Sequence, residues 1–295
     1  ETWSLAPINK LGTHLFKTGT SLTYSGNHGQ FTYRDIDILN ALGRRTQRIG
    51  FTNLQPFNRA DREFTYFVQD HWSPSGRLSF DYGARVENQR LTQNVRVGPR
   101  IGMALNPFNN ANTVLRMGYG LFYDHLPLDL YTFGRYPLRT ITNYDPTGTV
   151  IGAPIQYVNV IGDVRGPRSF FVGGQPVSGG FSPRGATLNL QLEHAFNRNF
   201  RFRAVYTDNR SVGLVILEPD KLGTSQEIVL NGEGSARYRQ FEATARATWK
   251  SGELTFSYTH ANAQGSLNTY DTFLGNYPMP LIRPNVYSKL PADLP

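Results

Sequence analysis

The feature that most constrains the fold of this chain is an alternation of apolar and polar residues with a period of two. It is clearest in Arg77–Glu87 (RLSFDYGARVE), where every second residue from Leu78 to Val86 is apolar or aromatic. Side chains of a β-strand point alternately to the two faces of a sheet, so this segment predicts a strand with one apolar and one charged face. Because arginines and carboxylates share the charged face, we expect that face to be wet.

The same pattern recurs along the chain and predicts about nine strands of an all-β protein. The predicted strands are His14–Ser25, Glu63–Trp72, Arg77–Glu87, Gly98–Leu105, Thr113–Tyr123, Thr187–Phe196, Phe200–Asp208, Tyr238–Trp249 and Leu254–His260. Strands of soluble β-sandwiches also alternate, so the pattern alone does not separate a soluble sheet from a membrane barrel.

Strand length and loop length favour an antiparallel transmembrane β-barrel. The predicted strands approach the ~9–11 residues of a membrane-spanning strand, whereas ordinary strands have about 5–6. Short and long connections alternate along the chain, as periplasmic turns and extracellular loops do in outer-membrane barrels. The short connections are 73–76, 106–112, 197–199 and 250–253, and the longer ones are 26–62, 124–186, 209–237 and 261–295, with a short exception at 90–97.

Aromatic residues of the apolar face are predicted to form two membrane girdles. Those beside the short turns are Trp72, Phe196, Phe200 and Trp249, and those towards the long loops are Tyr24, Tyr123, Tyr206 and Tyr258. Two aromatic belts that bound an aliphatic band are typical of the two bilayer interfaces.

The opposite face is predicted to line a lumen. Its candidate residues are Lys17, Arg77, Asp81, Arg85, Glu87, Arg100, Arg116, Gln191, Glu193, Arg201, Arg203, Glu242 and Arg246. Two interpretations are open: the mixed charges pair with neighbouring strands or a plug, or they line a substrate path. Either way the lumen must be wet or filled by a polar domain, because unpaired charges are costly to bury.

Composition excludes several classes of function. The chain of 295 residues contains no cysteine, which removes disulfide scaffolds, thiol catalysis and zinc–thiolate sites. No apolar run approaches the ~18 residues of a membrane helix. His125 lies between Asp124 and Asp129, but we interpret it as a residue at a loop base rather than a metal ligand. We therefore expect no enzymatic activity, no cofactor and no metal site.

The net charge of +8 has its densest source in Gly43–Arg48 (GRRTQR). This cluster is either a solvated loop, a contact for lipopolysaccharide phosphates or an acidic ligand, or a nucleic-acid contact. No nucleic-acid motif accompanies it, so we expect no nucleic-acid partner. The Pro- and Gly-rich segment 124–185 is the best candidate for a ligand-binding element, because long loops on a rigid scaffold carry recognition.

Two blocks of sequence resemble a known family. FVQDHW (Phe67–Trp72) followed by RLSFDYGARVE, and GPRIGMALNPFNNANTVLRMGYGLFYD (Gly98–Asp124), are similar to signature segments in barrels of Oar-like TonB-dependent receptors. Tyr238–His260 looks like a later hairpin of the same barrels. The resemblance implies a barrel of about 22 strands around an N-terminal plug, with import powered by a periplasmic TonB contact.

We therefore expect residues 1–295 to be part of an outer-membrane barrel domain, with plug, signal peptide, TonB contact and remaining strands outside this sequence. The expected function is ligand capture by extracellular loops and energised import through the lumen. Expected partners are outer-membrane lipid and lipopolysaccharide, the TonB complex and an unknown ligand. The alternatives are a structural or adhesion barrel without transport, and a secreted soluble β-protein that binds carbohydrate.

Overall fold

The computed structural model describes residues 1–90, 94–108, 112–161, 181–222, 225–266 and 291–293. These residues are mostly β-strand, with one short 3₁₀ helix at Leu128–Arg135. The strands are β1 (Thr2–Ser4), β2 (Ile8–Asn9), β3 (Thr13–Gly29), β4 (Ile36–Leu39), β5 (Arg45–Thr52), β6 (Phe57–Ser75), β7 (Leu78–Gln89), β8 (Asn94–Leu105), β9 (Thr113–Tyr123), β10 (Leu138–Tyr144), β11 (Val150–Ile161), β12 (Arg184–Ala195), β13 (Phe200–Leu222), β14 (Ser225–Trp249), β15 (Gly252–Ser266) and β16 (Pro291–Asp293).

These sixteen strands belong to one sheet. Its main body is an antiparallel meander in which each long strand pairs with the next, in the order β3, β6, β7, β8, β9, β12, β13, β14 and β15. Each of the nine predicted strands corresponds to one of these nine strands, and only Arg77 and Phe196 fall one residue outside, so that prediction is confirmed. Among the described residues, no helix has the length and apolar character to cross a membrane.

The strand register gives the meander two chemically different faces, because directly paired residues of neighbouring strands point to the same side. One row of pairs, which we assign to the polar face, runs through Lys17, Gln69, Gly83, Arg100, Gly120, Thr187, Asn209 and Tyr238. A row on the other side, the apolar face, runs through His14, Trp72, Phe80, Met103, Met117, Leu190, Tyr206 and Phe241.

At one end of the meander, here the turn end, four hairpins close through short connections. They join β6 to β7, β8 to β9, β12 to β13, and β14 to β15. The predicted short turns are therefore confirmed. The opposite end, here the loop end, carries two long connections, from β3 to β6 and from β9 to β12, and two short ones, from β7 to β8 and from β13 to β14.

The loop end is more ordered than the sequence pattern predicts. Residues 26–62 and 124–186 were expected to be loops, but they contribute β4, β5, β10, β11 and the 3₁₀ helix. β5 and β11 flank β10, and β11 joins the main sheet through parallel pairing with β14. We call residues 30–56 and 124–161 together the cap. Residues 162–180 of the predicted binding element lie outside the described residues.

The prediction of a long connection at 209–237 is wrong. β13 and β14 continue as one ladder until Leu222 pairs with Ser225. Register shifts between Val212 and Ile216 break the alternation there, and Ile216 is fully buried. The period-two pattern fails in this stretch because the strands pass from the two-faced sheet into a packed core.

That core holds the cap on the loop end of the sheet. Its buried members are Leu126, Leu130, Phe133, Tyr136, Phe181, Leu217, Ile228 and Leu230. Outside this core, Phe31 stacks between Tyr136 and Phe57, with ring centroids 4.0 and 4.9 Å away. Because Phe57 lies on the polar face of β6 by register, the cap packs over the loop end of the polar face.

Candidate functional site

The polar face is the candidate functional site, since it gathers the residues predicted to line a lumen. Arg77 lies in the turn before β7. The register places all the others on this one face: Lys17, Asp81, Arg85, Glu87, Arg100, Arg116, Gln191, Glu193, Arg201, Arg203, Glu242 and Arg246.

Glu193 is the centre of a charge network across β9, β12 and β13. Its carboxylate lies 3.2 Å from Nη1 of Arg116 and 3.9 Å from Nε of Arg203. Gln191 donates a hydrogen bond to Glu193 at 2.5 Å. All three charged side chains are 41–50 % exposed, so water screens these pairs and each contributes little to stability. The network therefore fixes the positions of charged side chains at a surface that is open to water.

A second network leads from the polar face into the base of the cap. Glu87 lies 2.5 Å from Arg85 and 3.7 Å from Arg96. The Arg96 side chain is only 1 % exposed and donates to the carbonyl of Asp124 at 3.0 Å. Gln89 donates to the carbonyl of Leu126 at 2.9 Å. The sequence prediction missed Arg96 and Gln89, although both fall on the polar parity of their strands.

Arg100 shows how an aromatic ring fits on the polar face. Its guanidinium lies 4.4 Å from the ring centroid of Phe122, in a cation–π contact. The Phe122 ring lies over Gly120, where an added Cβ would come within 2.7 Å of the ring. Glycine at 120 therefore makes the room in which Phe122 and Arg100 stack.

Two further ion pairs lie near the turn end. Arg246 donates to Glu253 at 2.6 Å, between β14 and β15. His71 Nδ1 lies 2.7 Å from an oxygen of Asp81, between β6 and β7. Glu242 accepts a hydrogen bond from Gln240 at 3.3 Å, and Arg201 lies directly opposite Arg246 in the register. Charges of both signs thus follow the polar face from the turn end to the cap.

The apolar face is broadly exposed. Leu22, Tyr24 and Phe256 have exposed fractions of 75, 68 and 65 %. A soluble monomer rarely exposes a contiguous apolar surface of this width. The register places the predicted girdle residues Tyr24, Trp72, Tyr123, Phe200, Tyr206, Trp249 and Tyr258 on this face. Phe196 follows β12 and packs against Phe200, with centroids 5.3 Å apart.

One ionisable cluster on the apolar face has no counterpart in the sequence predictions. The carboxylate of Asp70 accepts a hydrogen bond from the Tyr82 hydroxyl at 2.6 Å and lies 2.7 Å from His14 Nδ1. The rings of Phe16 and Trp72 stack on the two sides of His14, with centroids 5.8 and 5.6 Å away. Asp70 is 3 % exposed, and both contacts are made by Oδ2, whereas Oδ1 has no hydrogen-bond partner among the described residues.

The basic cluster at 43–48 lies on the β4–β5 hairpin of the cap: Gly43 and Arg44 are exposed in the connection, and Arg45 to Arg48 belong to β5. Arg45 pairs with Asp37 at 2.9 Å and Arg48 with Asp35 at 2.7 Å. The hydrogen bond from Arg48 lowers the pKa of the Asp35 carboxyl. Two of the cluster's arginines are therefore neutralised within the hairpin.

The acids around His125 do not converge on it. His125 Nε2 lies 3.1 Å from a carboxylate oxygen of Glu63, and Asp129 accepts from the backbone N–H of Leu130 at the start of the 3₁₀ helix. Within the described ranges no group of His, Asp and Glu has the geometry of a metal site. Nearby, burial in the cap raises the pKa of the Tyr131 hydroxyl.

A comparison with protein families gives the chain its class. The family model described as "Outer membrane beta barrel domain" matches residues 87–278. The chain belongs to the outer membrane β-barrel domain family. The predicted all-β barrel fold and outer-membrane location are thereby confirmed, and the alternative of a secreted soluble protein is wrong.

An outer membrane transporter shares this fold at low sequence identity, and two receptors superpose less closely. The outer membrane transporter YddB from Escherichia coli superposes with a TM-score of 0.64 and 14 % identity, covering 90 % of this chain and 33 % of that one. The ferric enterobactin receptor PfeA from Pseudomonas aeruginosa (G324V mutant) gives 0.47 and 11 %, covering 86 and 39 %. The siderophore receptor PirA from the same organism gives 0.43 and 9 %, covering 90 and 56 %.

A sequence search among curated proteins finds no match. The chain spans about a third of YddB. The likeness therefore establishes the barrel fold, and the activity of the whole protein is a matter for proposal.

Proposed function

We propose that this chain forms part of an import channel in the bacterial outer membrane, within a TonB-dependent receptor of the Oar-like kind. The observation that carries the proposal is the polar face, which continues through eight paired strands without an apolar row. A barrel used only as a membrane anchor does not require such a surface, whereas a hydrated transport path does.

The charges favour an inward orientation of the polar face. An arginine at the bilayer midplane on the lipid side of a barrel costs about 2–4 kcal/mol. Two arginines of the polar face, Arg85 of β7 and Arg100 of β8, lie near the middle of their strands. We therefore assign the polar face to the lumen and the exposed apolar face to lipid, with the two aromatic groups as girdles at its two interfaces.

The barrel of the whole protein is proposed to be larger than this chain. Among the described strands, β1 pairs only with β3, and no strand links β1 to the far side of the sheet. A larger barrel of about 22 strands would supply the missing neighbours and enclose a plug. The TonB contact is assigned to a part of the protein outside residues 1–295.

The cap is the proposed place of ligand capture. It covers the loop end of the polar face, and the buried Arg96 joins it to the lumen network. Arginines outnumber carboxylates among the lumen residues, so the field at the polar face favours anionic or strongly polar ligands. A captured ligand would pass from the cap to Glu87 and Arg96, and then along the polar face past Arg100 and Arg116 towards the turn end.

Ligand uptake distinguishes this proposal from a structural or adhesion barrel. Bacteria that carry the full-length protein, bacteria that lack it, and bacteria with an inactive TonB complex are grown in one defined medium. Depletion of anionic solutes from the medium is followed by mass spectrometry. We expect at least one solute whose uptake is lost in both altered strains.

A matched pair of variants tests whether that uptake depends on the lumen residues. Glu193→Gln removes the carboxylate between two arginines and should change the apparent affinity for that solute severalfold, while Glu253→Gln at the turn end should change it little. Uptake that is identical in all three strains, together with altered surface adhesion in the deletion strain, would favour the structural alternative.

A further inference from the structure

A group of arginines lies on the apolar face, just beyond the aromatic residues nearest the loop end. Arg210 of β13 is directly paired with Arg237 of β14, and Arg239 is paired with Asp208. Tyr206 and Phe241 form the next pair on the same face towards the turn end. Because a strand rises about 3.3 Å per residue, the arginines begin about 7 Å beyond this aromatic pair.

The charges in this group are not balanced by the residues that the structure describes. Asp208 accepts two hydrogen bonds from Arg237, at 3.1 and 2.7 Å. Arg210 and Arg239 form no ion pair with any described residue, and the paired residues of β15 are uncharged. Directly opposed like charges destabilise a sheet, so the Arg210–Arg237 pair calls for an anion from outside.

The surroundings show where that anion comes from. Arg210, Arg237 and Arg239 are all exposed. Their strands continue directly into the exposed apolar surface, where Phe241, Tyr258 and Phe256 have exposed fractions of 42, 52 and 65 %. If acyl chains cover that surface, the arginines lie at the height of the lipid headgroups on the loop side, which faces outwards in such barrels.

We propose that Arg210, Arg237 and Arg239, the arginine cluster, bind the phosphate groups of lipopolysaccharide in the outer leaflet. Guanidinium groups bind phosphate oxygens in a bidentate manner, and the adjacent girdle tyrosines suit the boundary between acyl chains and headgroups. The inference rests on the proposed function in one respect: the apolar face must contact lipid. It replaces the sequence-based candidate at 43–48, whose arginines include two that are paired within the cap.

The test measures binding of lipid A to the purified full-length protein by native mass spectrometry. Lipid A with both phosphates is compared with enzymatically dephosphorylated lipid A. The variant Arg210→Gln/Arg239→Gln should weaken binding of the phosphorylated form about thirtyfold, since each basic residue near an anionic lipid surface raises the affinity about five- to sixfold. Binding of the dephosphorylated form should stay the same.

Two further variants control for folding and for nonspecific charge. Arg201→Gln/Arg203→Gln removes the same charge from the polar face of β13 and should leave lipid A binding unchanged. Asp208→Asn removes the competing carboxylate and should tighten binding of phosphorylated lipid A severalfold. If the double variant of the cluster does not fold, the effect of Asp208→Asn still decides the outcome.

The inference is overturned if both double variants weaken binding equally, if neither does, or if the wild type binds both forms of lipid A alike. Heat-modifiable migration on a gel separates this failure from a failure of the proposed function. A protein that migrates as a folded barrel but shows no phosphate preference contradicts the arginine cluster alone. A protein that shows no folded form in detergent contradicts the assignment of the apolar face to lipid.

Discussion

The two-faced meander and the cap form one continuous sheet but are stabilised in different ways. In the meander, apolar side chains such as Leu22 and Phe256 are more than 60 % exposed, and polar side chains occupy the other face. In the cap, Phe133 and Leu130 are only 0 and 2 % exposed, as in the core of a soluble domain. The difference indicates that the apolar side chains of the meander need the membrane to cover them, whereas those of the cap are covered by the protein itself.

The strongest way to test this comparison is to remove a side chain from the cap core. Phe133 has no exposed surface, and truncation of a buried phenylalanine to alanine costs about 3–5 kcal/mol. In Phe133→Ala, we expect hydrogen exchange of β5, β10 and β11 to accelerate strongly, while β7 to β9 stay protected.

The matched control is Phe256→Ala, which removes the same ring from the apolar face, where it is 65 % exposed. It should leave exchange in the cap unchanged. Equal acceleration of both regions in Phe133→Ala would show that cap and meander unfold together, and the comparison would not hold.

The same contrast explains what the sequence could predict. The nine meander strands follow from period two because each residue meets either water or lipid, and the two environments select opposite chemistry. Ile216 and Leu217 are consecutive residues of β13, so their side chains point to opposite sides of the sheet, and both are fully buried. There both sides of the sheet are covered, so alternation disappears and β13 and β14 resemble a loop in the sequence.

The candidate site was predictable to a similar degree. Strand parity assigns Arg116 and Glu193 to one face without knowledge of their neighbours. It does not show that Arg96 is buried under the cap, because that depends on the path of residues 124–136. Asp70 was missed for a related reason: its partners His14 and Tyr82 come from other strands and are known only once the register is known.

A smaller effect is expected from acid at the edge of the cap. The hydrogen bond from Arg48 lowers the pKa of Asp35 below its ordinary value of 3.8. A depressed carboxyl pKa stabilises the fold above the unfolded pKa, and this contribution is lost as the pH falls through the folded pKa. We therefore expect the β4–β5 hairpin to loosen below pH 3.8.

Hydrogen exchange, corrected for the intrinsic effect of pH, measures this change on the hairpin amides. In Asp35→Asn the hairpin amides should already exchange faster at neutral pH, and the further acceleration of exchange in acid should be absent. If exchange still accelerates in acid in Asp35→Asn, another titratable group causes the acid sensitivity.

The central claim is that the apolar face contacts lipid and the polar face contacts water. The chain contains no cysteine, so single cysteines can be placed in turn at Leu188, Asn189, Leu190 and Gln191 of β12. Labelling with a membrane-impermeant maleimide is measured on the full-length protein in outer membranes. The account predicts reaction at 189 and 191 and protection at 188 and 190 until the membrane is dissolved. Uniform labelling, or the opposite alternation, would contradict it.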